Sequence, residues 1–165
     1  MNAGTAEPIS IIGLGNIEKR DDGVGVRVVE GLREQLDSGE WRPEVGRDLA
    51  LVAAGADTLL AAAHAADGRW VIMVDAARMG LPAGEFRMFE PGDVELRGRD
   101  QGLAPHDSDL AEALRLVNDL GCAERVRIMG IQCQDVGDGC GLSQRLQARL
   151  PEMQARIKEE VGLLP

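Results

Sequence analysis

Residues 9–29 read Ile9-Ser10-Ile11-Ile12-Gly13-Leu14-Gly15-Asn16-Ile17-Glu18-Lys19-Arg20-Asp21-Asp22-Gly23-Val24-Gly25-Val26-Arg27-Val28-Val29. The apolar run at the start has the length and isoleucine content of a buried parallel strand. Gly13 and Gly15 come next, and residues without a Cβ let the chain turn sharply. Asp21 and Asp22 then stand at the expected start of a helix, where unpaired N–H groups and the helix dipole favour a carboxylate. This order predicts an ionised acid at the carboxyl end of a core strand, the edge at which open α/β sheets bind ligands.

Strands and helices alternate along the rest of the chain. The apolar spacing predicts strands over residues 44–52, 70–74, 85–89 and 125–131, and helices over residues 24–36, 57–66 and 143–161, with a further helix that His106 opens. Gly39 is expected to end the first helix, and Ser143 to cap the last. The alternation predicts an α/β fold: a single three-layer domain over residues 1–165, with a mainly parallel twisted sheet and helices on both faces, of the phosphorylase/hydrolase-like type.

Composition and charge restrict the partners. The 165 residues carry a formal net charge of −10 and include two Trp, two Phe and no Tyr. This excess of acid disfavours phosphate backbones, and few rings are present to stack on bases, so we expect no nucleic acid partner. No segment is long and apolar enough to span a bilayer, and no secretory signal is visible, so we expect no membrane partner. Three cysteines are too few for a disulfide framework and fit a cytoplasmic protein. We expect a monomer.

Three polar residues occupy corresponding places in the predicted topology. Asp22 follows the first strand, Asp75 ends the third, and His106 follows a long loop over residues 91–105. All three are expected at the carboxyl edge of the sheet, where residues distant in sequence converge. Two carboxylates and an imidazole suit a first-row divalent ion and leave coordination positions open. The same side chains could instead transfer protons as acid and base.

Each of these residues also has a structural interpretation. Asp22 could cap a helix, because carboxylates accept hydrogen bonds from the first turn. Asp75 could bind loop N–H groups, a common use of aspartate after a strand. His106 could be a first-turn residue of an amphipathic helix. Spacing alone leaves these alternatives open.

The remaining histidine and two of the cysteines are given ordinary roles. His64 lies in an alanine-rich helix with no acid near it in sequence, so a surface or packing role is expected. Cys133 and Cys140 flank a short glycine-containing loop but form no CxxC pair. Two thiols without a nearby histidine are a weak metal signal, and we interpret them as ordinary cysteines.

The glycine pattern does not match the common nucleotide or hydrolase motifs. A dinucleotide fingerprint needs a third glycine where Glu18 stands and an acid closing the second strand, which reads Leu51-Val52-Ala53-Ala54. Neither a GxSxG elbow nor an HExxH helix is present. Peptidyl-tRNA hydrolases also look like a strand followed by Gly-Leu-Gly-Asn, but they continue with Pro-Gly where Ile17-Glu18 stands and want a histidine where Asp21-Asp22 stands.

Several segments, taken together and in order, resemble one family, the hydrogenase maturation proteases. These endopeptidases trim the C-terminal extension from the large subunit of nickel–iron hydrogenases. The resemblance covers essentially the whole chain, which makes it more specific than any single motif. The segments that carry it are Gly13-Leu14-Gly15-Asn16, Asp21-Asp22-Gly23-Val24-Gly25, Val71-Ile72-Met73-Val74-Asp75-Ala76, Ala104-Pro105-His106, Gly130-Ile131-Gln132 and Gly141-Leu142-Ser143.

The resemblance implies a nickel-dependent endopeptidase of the aspartic type. Its catalytic and metal-binding positions fall on Asp22, Asp75 and His106, the residues already selected by their placement. It also implies that cleavage follows nickel insertion, so that the nickel is supplied by the precursor, although other divalent ions could occupy the site. In this interpretation the partner is the nickel–iron hydrogenase large-subunit precursor. Asp21 is then expected to be the helix cap.

Two departures from the family pattern leave other functions open. The family has an Asp-Gly-Gly-Thr-like turn after the second strand, thought to take part in substrate recognition, where this chain has Leu51-Val52-Ala53-Ala54-Gly55. The proline after Ile-Gln is replaced by Cys133, which removes a rigid φ. The altered turn motivates an alternative, a nickel-sensing assembly factor that binds the precursor without cutting it. A peptidase with a target other than a hydrogenase is a third possibility.

Overall fold

The computed structural model describes residues 6–44, 46–93 and 109–165. The side chain of Asp109 is also outside this description. Most of the predicted loop over residues 91–105 therefore lies outside the described residues, and so does His106 with the helix start expected there. The remaining predicted site residues, Asp22 and Asp75, are described.

Five strands form one sheet with the order β2-β1-β3-β5-β4. The first four in this order run parallel to one another, and the edge strand β4 is antiparallel to β5. The segments between and after the strands include four helices and two short 3-10 turns, at Arg20–Gly23 and Ala123–Arg125. The strands are β1 (Ile9–Leu14), β2 (Leu49–Gly55), β3 (Trp70–Ala77), β4 (Phe86–Phe89) and β5 (Val126–Gln132); the helices are α1 (Val24–Ser38), α2 (Leu59–Ala66), α3 (Asp109–Asp119) and α4 (Gln144–Leu163).

Two apolar cores cover the two faces of the sheet. Alternate strand residues point to opposite faces, so each strand contributes to both cores. On one face α1 and α4 pack on the sheet through Val24, Val28, Leu32, Leu146, Met153 and Ile157. On the other face α2 and α3 pack through Ala61, Ala65, Leu110, Leu114 and Val117. The predicted α/β architecture, a mainly parallel sheet between two helical layers, is confirmed.

The second strand is the main difference from the predicted elements. It covers Leu49–Gly55 rather than residues 44–52, and its pairing with β1 begins at Ile9 and Leu49. Ahead of it, the Arg47 N–H donates to the Glu44 carbonyl at 3.2 Å, which closes a turn where the strand was expected. The small residues at its end continue the ladder, because Leu14 pairs with Gly55 across a bulge.

The order of the strands creates a crevice at the carboxyl edge of the sheet. From β1 the chain crosses through α1 to β2 on one side, and from β2 it crosses through α2 to β3 on the other side of β1. The carboxyl ends of β1 and β3 are therefore the point at which the winding reverses, the usual ligand position in open α/β sheets. Among the described helices, none is long and apolar enough to cross a membrane.

Candidate functional site

The loop between β1 and α1 is packed directly against the ends of two strands. A Cβ on Gly25 would overlap the carbonyl oxygens of Val74 in β3 and Leu14 in β1. Gly15 has a φ of +113°, and a Cβ there would overlap the Asp22 carbonyl oxygen. Because these glycines have no Cβ, the start of α1 can lie directly against the backbone at the ends of β1 and β3. This close approach brings the acids of the loop to the carboxyl edge.

Asp22 lies in the 3-10 turn at the mouth of the crevice. Its Oδ2 accepts a hydrogen bond from the Asn16 N–H at 2.9 Å, across the turn of the loop. The side chain is half-buried. One carboxylate oxygen is therefore fixed by the loop backbone, which sets the orientation of the group.

Asp75 reaches the same place from β3. It is 3% exposed, and its Oδ1 accepts a hydrogen bond from the Ala76 N–H at 2.8 Å. The same oxygen lies 3.6 Å from the position that a Cβ on Gly15 would take. Gly15 is thus held between the backbone of Asp22 and the carboxylate of Asp75. The structure brings together the two predicted acids that it describes.

The sequence led us to expect that Asp21 caps α1, but the structure shows that it does not. No side chain caps this helix, and the Asp21 side chain is 0% exposed. Its Oδ2 accepts the N–H groups of Gln134 and Asp135, both at 2.9 Å, and its Oδ1 accepts that of Ser143 at 2.6 Å. The carboxylate points away from α1 because this other group of N–H donors surrounds it. Asp21 thus binds the loop after β5 and the first residues before α4.

The loop after β5 and the loop after β1 are joined along their length. The N–H of Arg20 donates to the Gly139 carbonyl at 2.9 Å, and that of Gly139 donates to the Glu18 carbonyl at 2.8 Å. The Arg20 guanidinium also forms an ion pair with Asp135 at 2.9 Å. Arg20 adopts a φ of +47°, which is unusual for a residue with a side chain. The two loops therefore form one unit around Asp21.

Cys133 lies at the centre of this unit. Burial and the charges of Asp21, Asp22 and Asp75 raise the pKa of its thiol to about 12, and the Arg78 guanidinium opposes this rise only in part. The thiol donates to the Asp21 carbonyl oxygen at 3.4 Å. Because the thiolate is the reactive form, a protonated Cys133 is a poor nucleophile.

Gln132, the last residue of β5, has a role that the sequence did not reveal. Its Oε1 accepts the N–H groups of Met79 at 2.6 Å and Leu81 at 3.3 Å. Through these bonds Gln132 holds the segment that follows the end of β3, a few residues after Asp75. Only its place in the Gly130-Ile131-Gln132 segment pointed to this residue, and nothing in the sequence identified the N–H groups that it binds.

The segment at the end of β2 contacts the loop after β1 through its backbone. The Gly55 carbonyl accepts the Gly15 N–H at 3.0 Å, which ties this segment to the loop after β1. Ala53 and Ala56 are exposed, and Leu59, one turn further on, is 65% exposed. This rim therefore presents small apolar side chains at Ala53 and Ala56, and the exposed Asp57 follows them.

The remaining predicted residues fall elsewhere or outside the described chain. His64 lies in α2, where its Nδ1 is 2.7 Å from the Ser10 Oγ, in agreement with the expected packing role. Cys140 is exposed, and the three cysteines are free. Within the described ranges, no group of three or more His, Cys, Asp or Glu side chains could hold a metal ion, and His106 lies outside those ranges. Two oriented carboxylates can bind a cation supplied with a ligand, or accept a proton.

Comparison with known proteins identifies similar chains. A family model described as hydrogenase maturation protease, HycI, matches residues 26–160. The hydrogenase expression/formation protein HoxM of Cupriavidus necator is 26% identical over 151 residues, which cover 91% of this chain and 68% of that protein. The protein HupD of Rhizobium leguminosarum bv. viciae is 26% identical over 137 residues, covering 82% of this chain and 64% of that protein.

Solved structures share the fold. The crystal structure of the maturation protease HycI from Thermococcus kodakarensis KOD1 superposes with a TM-score of 0.70 and 22% identity, covering 97% of this chain and 95% of that one. The solution structure of the endopeptidase HycI from Escherichia coli gives a TM-score of 0.67 and 20% identity, with coverage of 92% and 90%. At these identities the likeness shows a common fold.

Proposed function

Because the chain belongs to the hydrogenase maturation protease family, and is thus assigned as a hydrolase, we propose that it is a nickel-dependent endopeptidase. Its substrate is a nickel–iron hydrogenase large-subunit precursor that has already received its nickel, and the bond cut releases the C-terminal extension. The nickel belongs to the substrate in this proposal, and other divalent ions are able to occupy the same position. We place the reaction in the cytoplasm and assign the enzyme as a monomer.

The observation that carries this proposal is the convergence of Asp22 and Asp75 at the winding reversal of the sheet. Asp22 arrives on the loop after β1, and Asp75 ends β3, with Gly15 between them. Carboxylate oxygens suit a first-row divalent ion, especially when an imidazole completes the set. His106 precedes α3, and α3 packs on the sheet face that receives Val71 and Met73 of β3. Asp75 is the next alternate residue after Val71 and Met73, so its side chain belongs to the face on which α3 packs. We therefore assign His106 as the third member of the site, beside Asp22 and Asp75.

The chain's own residues suit attack by water rather than by an enzyme nucleophile. The high pKa of the Cys133 thiol keeps it protonated. Asp22 is half-buried, and its Oδ2 is occupied by the Asn16 N–H. We assign its other oxygen, Oδ1, as the acceptor of a water proton. Asp22, Asp75 and His106 together engage the nickel held by the substrate, and the metal supplies positive charge near the scissile bond.

The decisive experiment is an intact-mass measurement. A nickel-loaded large-subunit precursor from the same genome is incubated with the protein, and its mass is compared with that of an untreated sample. We expect the wild type to remove a C-terminal peptide and His106→Ala to remove none. The circular dichroism of His106→Ala should match that of the wild type, so that the loss of cleavage is not due to unfolding. Normal processing by His106→Ala would refute the assignment of this residue.

The alternative, a non-cleaving nickel-sensing assembly factor, is favoured by the altered rim at the end of β2, where the exposed side chains of Ala53 and Ala56 are apolar. It predicts a stable complex with the precursor and an unchanged mass. A precursor left intact with no complex would refute both functions for that subunit, and would favour a target outside the hydrogenases. A nickel-free precursor is the control for metal dependence.

A further inference from the structure

We propose that Asp21 is the positioning residue of this site: its carboxylate fastens the loop after β5 to the loop after β1 and so fixes the orientation of Asp22. The inference rests on the proposed function for its catalytic consequence. Its structural content, that Asp21 governs the Asp22 carboxylate, stands independently. Asp21 is not placed in contact with the substrate.

The Asp21 carboxylate is buried and surrounded by backbone N–H donors. Its two oxygens accept three backbone N–H groups, those of Gln134, Asp135 and Ser143, at 2.9, 2.9 and 2.6 Å. The side chain is 0% exposed. A buried carboxylate is tolerated when its lone pairs are satisfied by hydrogen bonds, and such charged bonds are stronger than neutral ones. An asparagine would be a poorer substitute, because it has one acceptor oxygen and its NH2 group would face at least one of these N–H donors.

The connection from Asp21 to Asp22 is short and stiff. The two residues are consecutive in a single 3-10 turn, closed by the Asp22 N–H donating to the Lys19 carbonyl at 3.0 Å. The Asp21 carbonyl oxygen also accepts the Cys133 thiol at 3.4 Å. Both the side chain and the carbonyl of Asp21 are thus held by the loop after β5. A change in the Asp21 carboxylate is transmitted to the turn that carries Asp22.

The Asn16 N–H reports directly on the orientation of Asp22. It donates to the Asp22 Oδ2 at 2.9 Å and is not one of the donors to Asp21. An amide proton bonded to a carboxylate resonates downfield, and it moves upfield when the bond is lost. Its chemical shift in the wild type and in variants therefore measures whether Asp22 is in place, whether or not the protein cleaves anything.

The same pair of loops offers a matched control. Arg20→Ala removes the exposed ion pair to Asp135 and the contact to the Asp138 carbonyl, which also join the two loops. It leaves the Asp21 carboxylate with its three donors. If Asp21 only contributed to loop stability, Arg20→Ala and Asp21→Asn would act in the same way at equal fraction folded.

The test compares Asp21→Asn with Arg20→Ala by proton–nitrogen NMR and by precursor cleavage, at a temperature where circular dichroism shows both variants to be folded. For Asp21→Asn we expect an upfield shift of the Asn16 amide proton and a fall in kcat of tenfold or more, with KM within twofold, because small misplacements of a reacting group are costly. For Arg20→Ala we expect the Asn16 shift and kcat to stay near the wild-type values.

Three outcomes would overturn the proposal. An unchanged Asn16 shift and kcat in Asp21→Asn would show that Asp22 does not depend on Asp21, and equal losses in Arg20→Ala would reduce the effect to loop stability. If Asp21→Asn does not fold, Ser143→Pro replaces it, since Ser143 has a φ of −56° that proline can adopt. This change removes one donor to Asp21, with Ser143→Ala as its control. An unmoved Asn16 proton in Ser143→Pro is the third contradicting outcome.

The proposed function and this inference fail separately. If the wild type leaves the precursor intact, the proposed function is refuted for that substrate. The Asn16 proton shift then decides the positioning role by itself.

Discussion

Asp21 and Asp22 at the carboxyl edge of the sheet are held differently from Glu7 and Asp48 at the amino edge. At the carboxyl edge, Asp21 and Asp22 accept hydrogen bonds from backbone N–H groups. At the amino edge, Glu7 and Asp48 are bound by arginine guanidinium groups at 2.6 and 2.5 Å. Backbone donors orient a carboxylate and leave its full negative charge, whereas an arginine also cancels that charge. The first arrangement suits a cation-binding site, and the second a structural clamp.

The pKa values of the two acids at the amino edge also reflect their arginine partners. Hydrogen bonds from Arg125 and then from the Trp70 indole lower the pKa of Glu7, and a hydrogen bond from Arg69 lowers the pKa of Asp48. Glu7 joins the segment before β1 to Trp70 and Arg125, and Asp48 joins the segment before β2 to Arg69. Both acids are matched with cations, which suits a structural role.

The same edge contains a serine–histidine pair whose residue types would suit catalysis. The Ser10 Oγ lies 2.7 Å from the His64 Nδ1, as in a nucleophile and its base. Ser10 is 0% exposed, however, and its Oγ also accepts the Arg69 Nε–H at 2.7 Å. A buried hydroxyl that serves two protein partners cannot reach a peptide. Location in the fold, and not residue type, distinguishes this pair from the candidate site at the carboxyl edge.

The largest expected difference between the edges is in activity. Asp22→Asn should reduce precursor processing about a thousandfold, within the range seen when a proton-accepting group is removed. Asp48→Asn, at the opposite edge, should keep processing within twofold of wild type. Cleavage rates from intact-mass time courses, with circular dichroism to confirm folding, test both. Comparable losses in the two variants would show that the contrast between the edges has no catalytic meaning.

A smaller but still large effect is expected on stability at the carboxyl edge. Gly25→Ala places a Cβ against the Val74 and Leu14 carbonyl oxygens, and overpacking against backbone should cost about 3 kcal/mol of unfolding free energy. Gly162 in α4 is the control, since a Cβ there meets nothing within 4 Å. Gly162→Ala should be neutral or stabilising by up to about 1 kcal/mol, because alanine favours the helix. Urea unfolding measures both, and a Gly25→Ala protein as stable as wild type would disprove the close approach.

The carboxyl edge was also where the sequence was most informative about position. Asp22 and Asp75 stand next to predicted parallel strands, and the residues after parallel strands emerge at one edge of the sheet. The local pattern was therefore enough to bring two residues together without knowledge of the contacts between them. The same rule selected His106, whose placement stays a prediction.

The long-range hydrogen bonds that orient these residues could not be predicted from the sequence. Asp21 was expected to cap the adjacent helix, but its partners Gln134 and Ser143 are 113 and 122 residues away. Backbone N–H groups carry no side-chain signature, so no pattern marks them as receptors. The bounds of β2 failed for a related reason, because pairing with Ile9 and not local propensity fixes its start at Leu49.

The smallest effect is expected from the clamp at the amino edge, and it depends on pH. The folded-state pKa values of Glu7 and Asp48 lie below their ordinary values of 4.5 and 3.8, so both contribute to stability above those values and lose the contribution as the pH falls through the lowered pKa. The double variant Glu7→Gln, Asp48→Asn should thus be less stable than wild type at pH 7 and converge with it at strongly acidic pH. The gap should be small, because exposed ion pairs contribute little, and added salt should reduce it further. Urea unfolding at a series of pH values tests this prediction, and a gap that stays constant into acid would show that the arginines do not depress these two pKa values in solution.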